Sequence, residues 1–303
     1  MKILVTGGMG FIGTHLINSL DSDEFEISIL DNTQESNLFK TKKNISVIDA
    51  DIQDYELIKK SLQGFDTIIH LAAKISVSES ISYPELIHNV NVTGTLNLLR
   101  SCVKNNIKNF IAASSAAVYG VSPDQILTEK SQTIPISMYG ASKLTMEHYI
   151  QSFSYTHGIN SLSLRFFNIY GEGQNLEYGG IITKFINMIK NDQPLQIFGD
   201  GTSTRDFISI YDVIDSIKNS LKNISGKKGT AYNISSGTST SILDLVELMR
   251  NISKQELPVI FSKSKIGDIK HSSSSIKLAN EELNYFPKIN LKQGLEQLMK
   301  SSI

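Results

Sequence analysis

Three polar residues in the middle of the chain have types and spacing that suit proton transfer. Tyr139 and Lys143 are four residues apart in a segment with helical periodicity, so both side chains lie on one face of the helix. An ammonium group beside a phenol favours the phenolate and lowers the pKa of the tyrosine from about 10 toward neutral pH. Ser115 follows a short apolar run and can hydrogen-bond a substrate oxygen. Together the three residues predict a general base that takes a proton from a hydroxyl group.

A glycine-rich segment at the start of the chain predicts a site for a phosphate-bearing ligand. Residues 3–5 have the pattern of a strand buried on both faces, and Gly7, Gly10 and Gly13 follow before a helical pattern. Gly7 suits a tight turn, Gly10 a close approach of backbone N–H groups to a pyrophosphate, and Gly13 close packing of helix on sheet. The start of the helix then offers unpaired amides and the positive end of its dipole to the phosphates.

An acidic residue after the next predicted strand narrows the choice of ligand. Residues 27–30 form a second apolar run, and Asp31 follows it, eighteen residues after Gly13. An acidic side chain at this place binds the 2′-hydroxyl of an adenosine ribose and repels a 2′-phosphate. The sequence therefore predicts a dinucleotide site that prefers NAD to NADP.

The segments that carry these residues alternate between short apolar strands and helices. Further strands are predicted at 44–48, 67–71, 110–113 and 162–166, and helices at 54–62, 85–105 and 139–157. This order predicts an α/β fold with a doubly wound, Rossmann-type parallel sheet. Ligands bind at the carboxyl ends of the strands in such sheets. The residues that fall at or just beyond these ends are Gly7, Asp31, Ala72, Ser115 and Asn168.

After Phe166 the alternation loosens, which predicts a second, smaller unit. Loops are predicted at 171–180 and 199–207, with a short helix at 181–189 between them, and a helix at 211–221 and a strand at 231–234 return to the sheet. From residue 241 the chain reads as helical, with one strand at 258–261. We therefore predict a dinucleotide-binding domain from 1–166 with 208–236, and a mixed substrate-binding lobe from 167–207 and 237–303.

Composition and charge exclude several classes of protein. The 303 residues are 40% hydrophobic and 19% charged with a net charge of −1, which is typical of a soluble globular protein with no nucleic-acid partner. The apolar runs are far shorter than the ~18 residues of a membrane span, and the first strand starts too early for a signal peptide. Cys102 is predicted to be a buried hydrophobe. The histidines lack paired metal-ligand spacing, so no metal site is predicted, and we expect a cytoplasmic protein.

A series of motifs along almost the whole chain resembles one known family. The motifs are TGGMGFIG at 6–13, DN at 31–32, ADI at 50–52, HLAA at 70–73, NVTGT at 91–95, SSAAVYG at 114–120, YGASK at 139–143, RFFNIYG at 165–171, GDGTSTRDF at 199–207 and GDI at 267–269. In this order they resemble the extended short-chain dehydrogenases/reductases, and among them the nucleotide-sugar epimerases of the UDP-glucose 4-epimerase type.

The resemblance implies an NAD cofactor, a UDP-sugar substrate and a role for each matching residue. The implied catalytic residues are Ser115, Tyr139 and Lys143. The implied cofactor-binding residues are Gly7, Gly10, Phe11, Ile12, Gly13, Asp31, Asn32, Asp51, Ile52, Leu71, Ala72, Ala73, Asn91, Tyr139, Lys143 and Phe166. The implied substrate-binding residues are Ser115, Tyr139, Asn168, Phe198, Arg205, Lys265 and Asp268. In relatives, the helices that correspond to 85–105 and 139–157 form a homodimer, which we expect here too.

Three positions refine the implied activity. Related 4,6-dehydratases carry an acidic residue just after the catalytic serine or threonine, whereas this chain has Ala116 and Ala117, so dehydration is disfavoured. Lys265 stands where the family usually has a diphosphate-binding arginine, and it lacks the planar fork of that side chain. Ser272 occupies a position that limits the room around the sugar C2 substituent, and a small serine leaves space for an N-acetyl group.

The expected reaction is 4-epimerisation of UDP-glucose and UDP-galactose, and of the N-acetylated pair, by transient oxidation at C4. A 4-ketoreductase or dehydrogenase that exchanges its cofactor would need nearly the same residues and is one alternative. Epimerisation of a UDP-uronic acid is another, although no cation or backbone nest for its carboxylate is evident. A non-catalytic NAD-binding protein is disfavoured because Tyr139 and Lys143 are both present.

Overall fold

The structure, a computed structural model, describes residues 1–20, 24–33, 45–263 and 270–302. Its strands are β1 (Lys2–Thr6), β2 (Glu26–Asp31), β3 (Ser46–Asp49), β4 (Thr67–His70), β5 (Asn109–Ser115), β6 (Asn160–Phe166), β7 (Asn168–Tyr170), β8 (Leu195–Phe198), β9 (Thr204–Ser209), β10 (Lys228–Ile234), β11 (Ser239–Ser241) and β12 (Val259–Ser262). Its helices are α1 (Phe11–Ser19), α2 (Tyr55–Ser61), α3 (Val77–Ser82), α4 (Pro84–His88), α5 (Gly94–Lys104), α6 (Met138–His157), α7 (Ile181–Lys190), α8 (Ile210–Asn223), α9 (Ile242–Ser253), α10 (Lys277–Leu283) and α11 (Leu291–Ser302).

Seven of the strands form one parallel sheet in the order β3-β2-β1-β4-β5-β6-β10. The order reverses between β1 and β4, which is the place where doubly wound sheets bind ligands. Helices α1, α8 and α10 pack on one face, and α2, α5 and α6 pack on the other, where Cys102 is fully buried. The predicted α/β fold with a doubly wound Rossmann-type sheet is confirmed.

The smaller sheets contain most of the strands that the sequence did not predict. Strands β11, β9 and β7 form a three-stranded sheet, and β12 pairs in parallel with β8. Their apolar side chains pack with those of α7, α9 and α11 in a separate core. The prediction of a loop over 199–207 is wrong at its end, because β9 begins at Thr204 and pairs on both edges.

The division into two domains stays a prediction, and one packing detail bears on its boundary. Helix α10, which falls within the predicted lobe at 237–303, packs on α8 and β10. Ala279, Leu283 and Tyr285 are completely buried in the core of the large sheet. A boundary drawn by packing would therefore place residues 277–285 with the dinucleotide-binding domain.

The long helix predicted at 85–105 is interrupted. Helix α4 passes into a π-helical turn, Asn89–Thr93, before α5 begins at Gly94. The turn directs the Asn91 side-chain amide to the backbone of Lys74. The amide oxygen accepts from the Lys74 N–H at 2.8 Å, and the amide nitrogen donates to the Lys74 carbonyl at 2.9 Å. The extra residue of a π turn thus ties this helix to the segment that follows β4.

None of the helices within the described part of the chain is long and apolar enough to cross a membrane.

Candidate active site

A cavity of about 710 Å³ lies at the carboxyl ends of β1, β2 and β4. Its lining includes ten of the predicted cofactor-binding residues, namely Gly7, Gly10, Phe11, Asp31, Asn32, Asp51, Ile52, Leu71, Ala72 and Ala73. The sheet therefore gathers residues from four separate segments into one cleft, whose volume is within the range of cofactor sites.

The glycine turn is shaped by close backbone approach. Gly7 has a φ of +69°, and a Cβ built there would lie 2.6 Å from the backbone nitrogen of Ala72. A Cβ on Gly13 would lie 2.5 Å from the carbonyl oxygen of Gly7, which explains why α1 packs so closely on the turn. Gly10 is the N-cap of α1, and no side chain of the described residues caps this helix. The turn and helix start thus fit the pyrophosphate of a dinucleotide.

Asp31 lies at the end of β2 with its carboxylate oriented by the backbone. Its two oxygens accept from the N–H groups of Met9 and Thr33 at 2.9 and 3.0 Å. The neighbouring Asn32 donates to the Asp51 carboxylate at 3.1 Å. An acidic group held in this way in the cavity fits the hydroxyl groups of an adenosine ribose, as the sequence predicted.

The remaining predicted cofactor residues lie outside the lining of this cavity. Asn91 is 1% exposed, and its amide also donates to the Ser142 hydroxyl at 3.0 Å, so its hydrogen bonds serve the protein. Phe166 is buried at the end of β6, opposite Ser115 on β5. Ile12 and Gly13 belong to the first turn of α1 and pack on the core.

The three candidate catalytic residues are brought together by β5 and α6. Strand β5 ends at Ser115, whose hydroxyl accepts from the Ala117 N–H at 3.2 Å and lies close enough to the Tyr139 phenol to influence its pKa. The Ser137 hydroxyl caps α6 by accepting from the Gly140 N–H at 3.0 Å, which fixes the first turn that carries Tyr139. Lys143 follows one turn later and is 3% exposed.

The expectation that Lys143 lowers the pKa of Tyr139 is wrong for the arrangement seen here. Burial raises the pKa of the Tyr139 phenol, and the hydrogen bond from Ser115 opposes this shift. The Lys143 ammonium donates instead to the carbonyl of Ala113 at 2.8 Å. Burial also lowers the pKa of Lys143, to about 8, against the attraction of the Glu147 carboxylate. A phenolate at Tyr139 therefore requires further positive charge in the site.

His70, at the end of β4, is held as a neutral packing residue. Its ring nitrogens make hydrogen bonds of 2.8 and 2.9 Å with the hydroxyls of Thr6 and Thr95. Burial lowers the pKa of the imidazole to about 3, and the nearby Lys143 adds to this shift. The ring is thus placed to join β1, β4 and α5.

A second cavity, of about 380 Å³, contains three of the predicted substrate residues. Asn168, Phe198 and Arg205 line it together with apolar side chains of α7. Asn168 donates to the Asp206 carbonyl at 3.1 Å, and Arg205 donates to the Thr204 carbonyl at 2.8 Å. An arginine and an aromatic ring in one cleft are suited to a phosphate and a planar base.

The segment that carries the last predicted substrate residues is only partly described. Lys265 and Asp268 lie outside the described residues. Ser272 is 8% exposed, and its N–H donates to the Thr204 carbonyl at 3.2 Å. This contact places Ser272 beside the start of β9, the strand that carries Arg205.

Two further groups that line the first cavity were not predicted. Glu172, Gly173, Gln174, Asn175 and Tyr178 bring the loop after β7 into its lining. His15, one turn after Phe11 on α1, contacts the Glu172 carbonyl at 2.8 Å and so joins this loop to α1. The position of His15 on the same helix face as Phe11 was the one available signal.

Comparisons with known proteins agree with this geometry. The model of a family described as the NAD dependent epimerase/dehydratase family matches residues 3–235. A putative UDP-glucose 4-epimerase from Methanocaldococcus jannaschii is 35% identical over 302 residues, which cover 98% of this chain and 97% of that protein.

Two solved structures are similar over nearly their whole length. One is the UDP-N-acetylglucosamine 4-epimerase of Methanobrevibacter ruminantium in complex with UDP-N-acetylmuramic acid, with a TM-score of 0.92 and 33% identity over 99% of this chain and 97% of that one. The other is the UDP-glucuronic acid 4-epimerase of Bacillus cereus with UDP-glucuronic acid and NAD, with a TM-score of 0.92 and 31% identity over 99% and 98% of the two chains. The chain therefore belongs to the NAD-dependent epimerase/dehydratase family, whose cofactor is NAD.

Proposed function

We propose that the protein interconverts UDP-glucose and UDP-galactose by epimerisation at C4, and that it also accepts the N-acetylated pair. The observation that carries this proposal is the convergence of Ser115, at the carboxyl end of β5, with Tyr139 in the first turn of α6 and Lys143 one turn further along the same helix. A phenol and a hydroxyl so paired can share the proton of one substrate oxygen. The named activities of similar proteins support a nucleotide sugar as the substrate.

In the proposed reaction Tyr139 takes the proton of the sugar 4-hydroxyl while Ser115 hydrogen-bonds the same oxygen. NAD, when bound, supplies the hydride chemistry at C4 and the positive charge that favours a phenolate. The glycine turn and Asp31 would hold its pyrophosphate and adenosine ribose. Lys143 would hold the nicotinamide ribose and stabilise the Tyr139 phenolate electrostatically. Tyr139 then returns the proton to the oxygen at the end of the cycle.

Epimerisation also requires that the 4-keto sugar turn over without leaving the site. Arg205 and Asn168 would bind the diphosphate, so that the sugar rotates about a fixed anchor. A guanidinium fork suits this task because it makes paired, charge-assisted hydrogen bonds to phosphate oxygens. Ala116 and Ala117, directly after Ser115, cannot transfer a proton, which supports epimerisation over dehydration.

The proposal predicts the products of a panel of nucleotide sugars incubated with the purified protein without added cofactor. UDP-glucose, UDP-galactose, UDP-N-acetylglucosamine and UDP-glucuronic acid are the members of the panel. We expect C4 inversion of the first three, with no net change in absorbance at 340 nm. Stoichiometric formation or consumption of NADH would instead indicate a ketoreductase or dehydrogenase. Inversion of the uronic acid alone would indicate the other candidate substrate class.

The Ser272→Tyr variant is the matched control for the size of the C2 substituent. A tyrosine fills space at this position, so we expect the variant to retain activity toward UDP-glucose and to lose about tenfold or more toward UDP-N-acetylglucosamine. If the unmodified protein does not convert UDP-N-acetylglucosamine, the proposed breadth of substrate is wrong.

We also propose a homodimer in which α4, α5 and α6 pack against their counterparts in a second copy. Exposed aromatic side chains on α6 support it, among them Tyr149 and Tyr155, with exposed fractions of 37% and 70%. Burial of such residues between two copies would remove apolar surface from water.

A further inference from the structure

A buried ion pair lies directly behind the candidate catalytic residues. Glu147 is 6% exposed and lies on α6, one turn after Lys143 and two turns after Tyr139. Its carboxylate accepts from the Arg165 guanidinium at 3.0 Å through Nε and at 2.7 Å through Nη2. It also accepts from the hydroxyl of Ser114. The carboxylate is therefore paired in charge and held in place by three donors.

This pair connects the helix that carries Tyr139 to the strand that carries Ser115. Ser114 is the residue before Ser115 on β5, and Arg165 lies directly opposite Ser114 on β6. Glu147 thus links α6 to both strands at the level of the site. The ion pair thus fixes the position of the helix that carries Tyr139 relative to the strand that ends at Ser115.

The network continues beyond Arg165 to the edge of the large sheet. The Arg165 Nη1 donates at 2.9 Å to the phenol of Tyr119, which donates at 2.6 Å to the Asn233 Oδ1 on β10. Tyr119 follows the short turn that begins after Ser115. Both segments that flank Ser115 are therefore bound to the Glu147–Arg165 pair, Ser114 through the carboxylate and Tyr119 through the guanidinium.

Glu147 also acts on the charge of Lys143. The groups that act on the Lys143 ammonium are the Ala113 carbonyl on β5, Glu147 on its own helix, the neutral His70 on β4 and, behind Glu147, Arg165 on β6. Of these, Glu147 is the group whose attraction opposes the effect of burial on Lys143. A buried lysine without such an anion readily loses its proton near neutral pH.

We propose that Glu147 is a positioning residue: through Arg165 and Ser114 it holds α6, which carries Tyr139 and Lys143, against β5 and so supports the proton transfer by Tyr139. The inference rests on the proposed function for the reaction that it serves. Glu147 touches neither of the two cavities in the described structure, so it acts through Lys143 and through the placement of Tyr139.

Two substitutions distinguish the effect of the Glu147 charge from the effect of its side-chain length. Glu147→Gln keeps the shape and removes the charge, whereas Glu147→Asp keeps the charge and shortens the side chain by one methylene. Glu56→Gln is the control, because Glu56 forms an exposed ion pair with Lys59 on α2, far in sequence from the site. The titration of the Lys143 side chain is followed by NMR of carbon-labelled lysine in the cofactor-loaded protein, with Lys143→Arg to assign its resonance.

We expect Glu147→Gln to lower the pKa of Lys143 by about one unit and to move the alkaline limb of the kcat profile to lower pH by the same amount. Lys143 works as a cation, so activity is lost once the pH exceeds its pKa. Glu147→Asp should leave the titration near its original pH and lower kcat by about tenfold, because it displaces α6. Glu56→Gln should change neither measurement.

An unchanged Lys143 titration in folded Glu147→Gln protein would overturn the proposal. If this variant does not fold, the doubly substituted Glu147→Gln/Arg165→Met protein takes its place, since it leaves no buried charge unpaired. A smaller downward shift is expected there, because loss of the Arg165 cation partly offsets loss of the nearer carboxylate. The NMR titration needs no sugar substrate. It therefore still decides the role of Glu147 if none of the tested UDP-hexoses is converted, a result that would overturn the proposed function alone.

Discussion

Replacing Tyr139 with phenylalanine is expected to lower kcat for UDP-glucose about a thousandfold, with little change in KM or in the content of bound NAD. The variant loses the phenol that, in the proposed reaction, exchanges a proton with the sugar 4-hydroxyl, and such groups contribute about 10²–10⁴-fold to rate. The ring itself remains, so the packing of α6 should persist. The cost to stability should be limited to the loss of one buried hydroxyl group, about 1 kcal/mol.

Tyr149→Phe provides the control on the same helix. Tyr149 is 37% exposed and lies away from both cavities, so removal of its hydroxyl should leave kcat within about twofold of the unmodified protein. Steady-state kinetics on the two variants, with circular dichroism to confirm the fold, make the comparison. Full activity of Tyr139→Phe would exclude the phenol as the proton-transfer group.

Gly7→Ala is expected to abolish retention of NAD during purification. The added methyl group would lie 2.6 and 2.7 Å from the backbone nitrogen and Cα of Ala72, so either the turn or the segment after β4 must move. Both contacts are with backbone, which cannot rotate away as a side chain can. We expect the affinity for NAD to fall by at least about a hundredfold, because two walls of the cavity are displaced together.

Gly158→Ala isolates the effect of backbone strain. Gly158 has a φ of +71°, close to that of Gly7, but a Cβ there meets no described atom within 4 Å. This variant should lose only about 1 kcal/mol in the free energy of unfolding and should keep its NAD. Cofactor content, measured after denaturation of the purified proteins, tests both expectations. Equal NAD content in the Gly7→Ala variant and the unmodified protein would contradict the role assigned to the turn.

The parts of the fold that local chemistry specifies were predictable from the sequence. The apolar strand before Gly7, the glycine spacing and the acid after the second strand each depend on neighbouring residues, and the structure places them in one cavity. The alternation of strands and helices up to Phe166 was likewise sufficient to predict the large parallel sheet. Local periodicity and turn chemistry specify these elements directly.

Features that depend on distant contacts were not predictable. Strand β9 exists because β7 and β11 pair with it on either side, whereas the preceding Gly199 and Gly201 made the segment resemble a loop. The loop after β7 is joined to the first cavity by the contact between the Glu172 carbonyl and His15, which are 157 residues apart in the sequence. No local pattern encodes either contact.

The electrostatics of the site depend on burial, which the sequence does not reveal. The four-residue spacing of Tyr139 and Lys143 indicated that their side chains share a helix face, but not that the ammonium donates to the Ala113 carbonyl. Nor did it reveal that burial would raise the pKa of the phenol. Glu147 continues the same spacing by one more turn, but the spacing did not indicate that Arg165 on β6 would lie beside it as an ion-pair partner.

The central claim is that the hydrogen at C4 leaves the sugar and returns to the same carbon within one binding event. UDP-galactose that carries deuterium at C4, incubated with the purified protein in ordinary water without added cofactor, tests this claim by mass spectrometry and NMR of the product. The account predicts UDP-glucose that retains the deuterium at C4. Replacement of the deuterium by solvent hydrogen, or its accumulation in free nicotinamide cofactor, would contradict it.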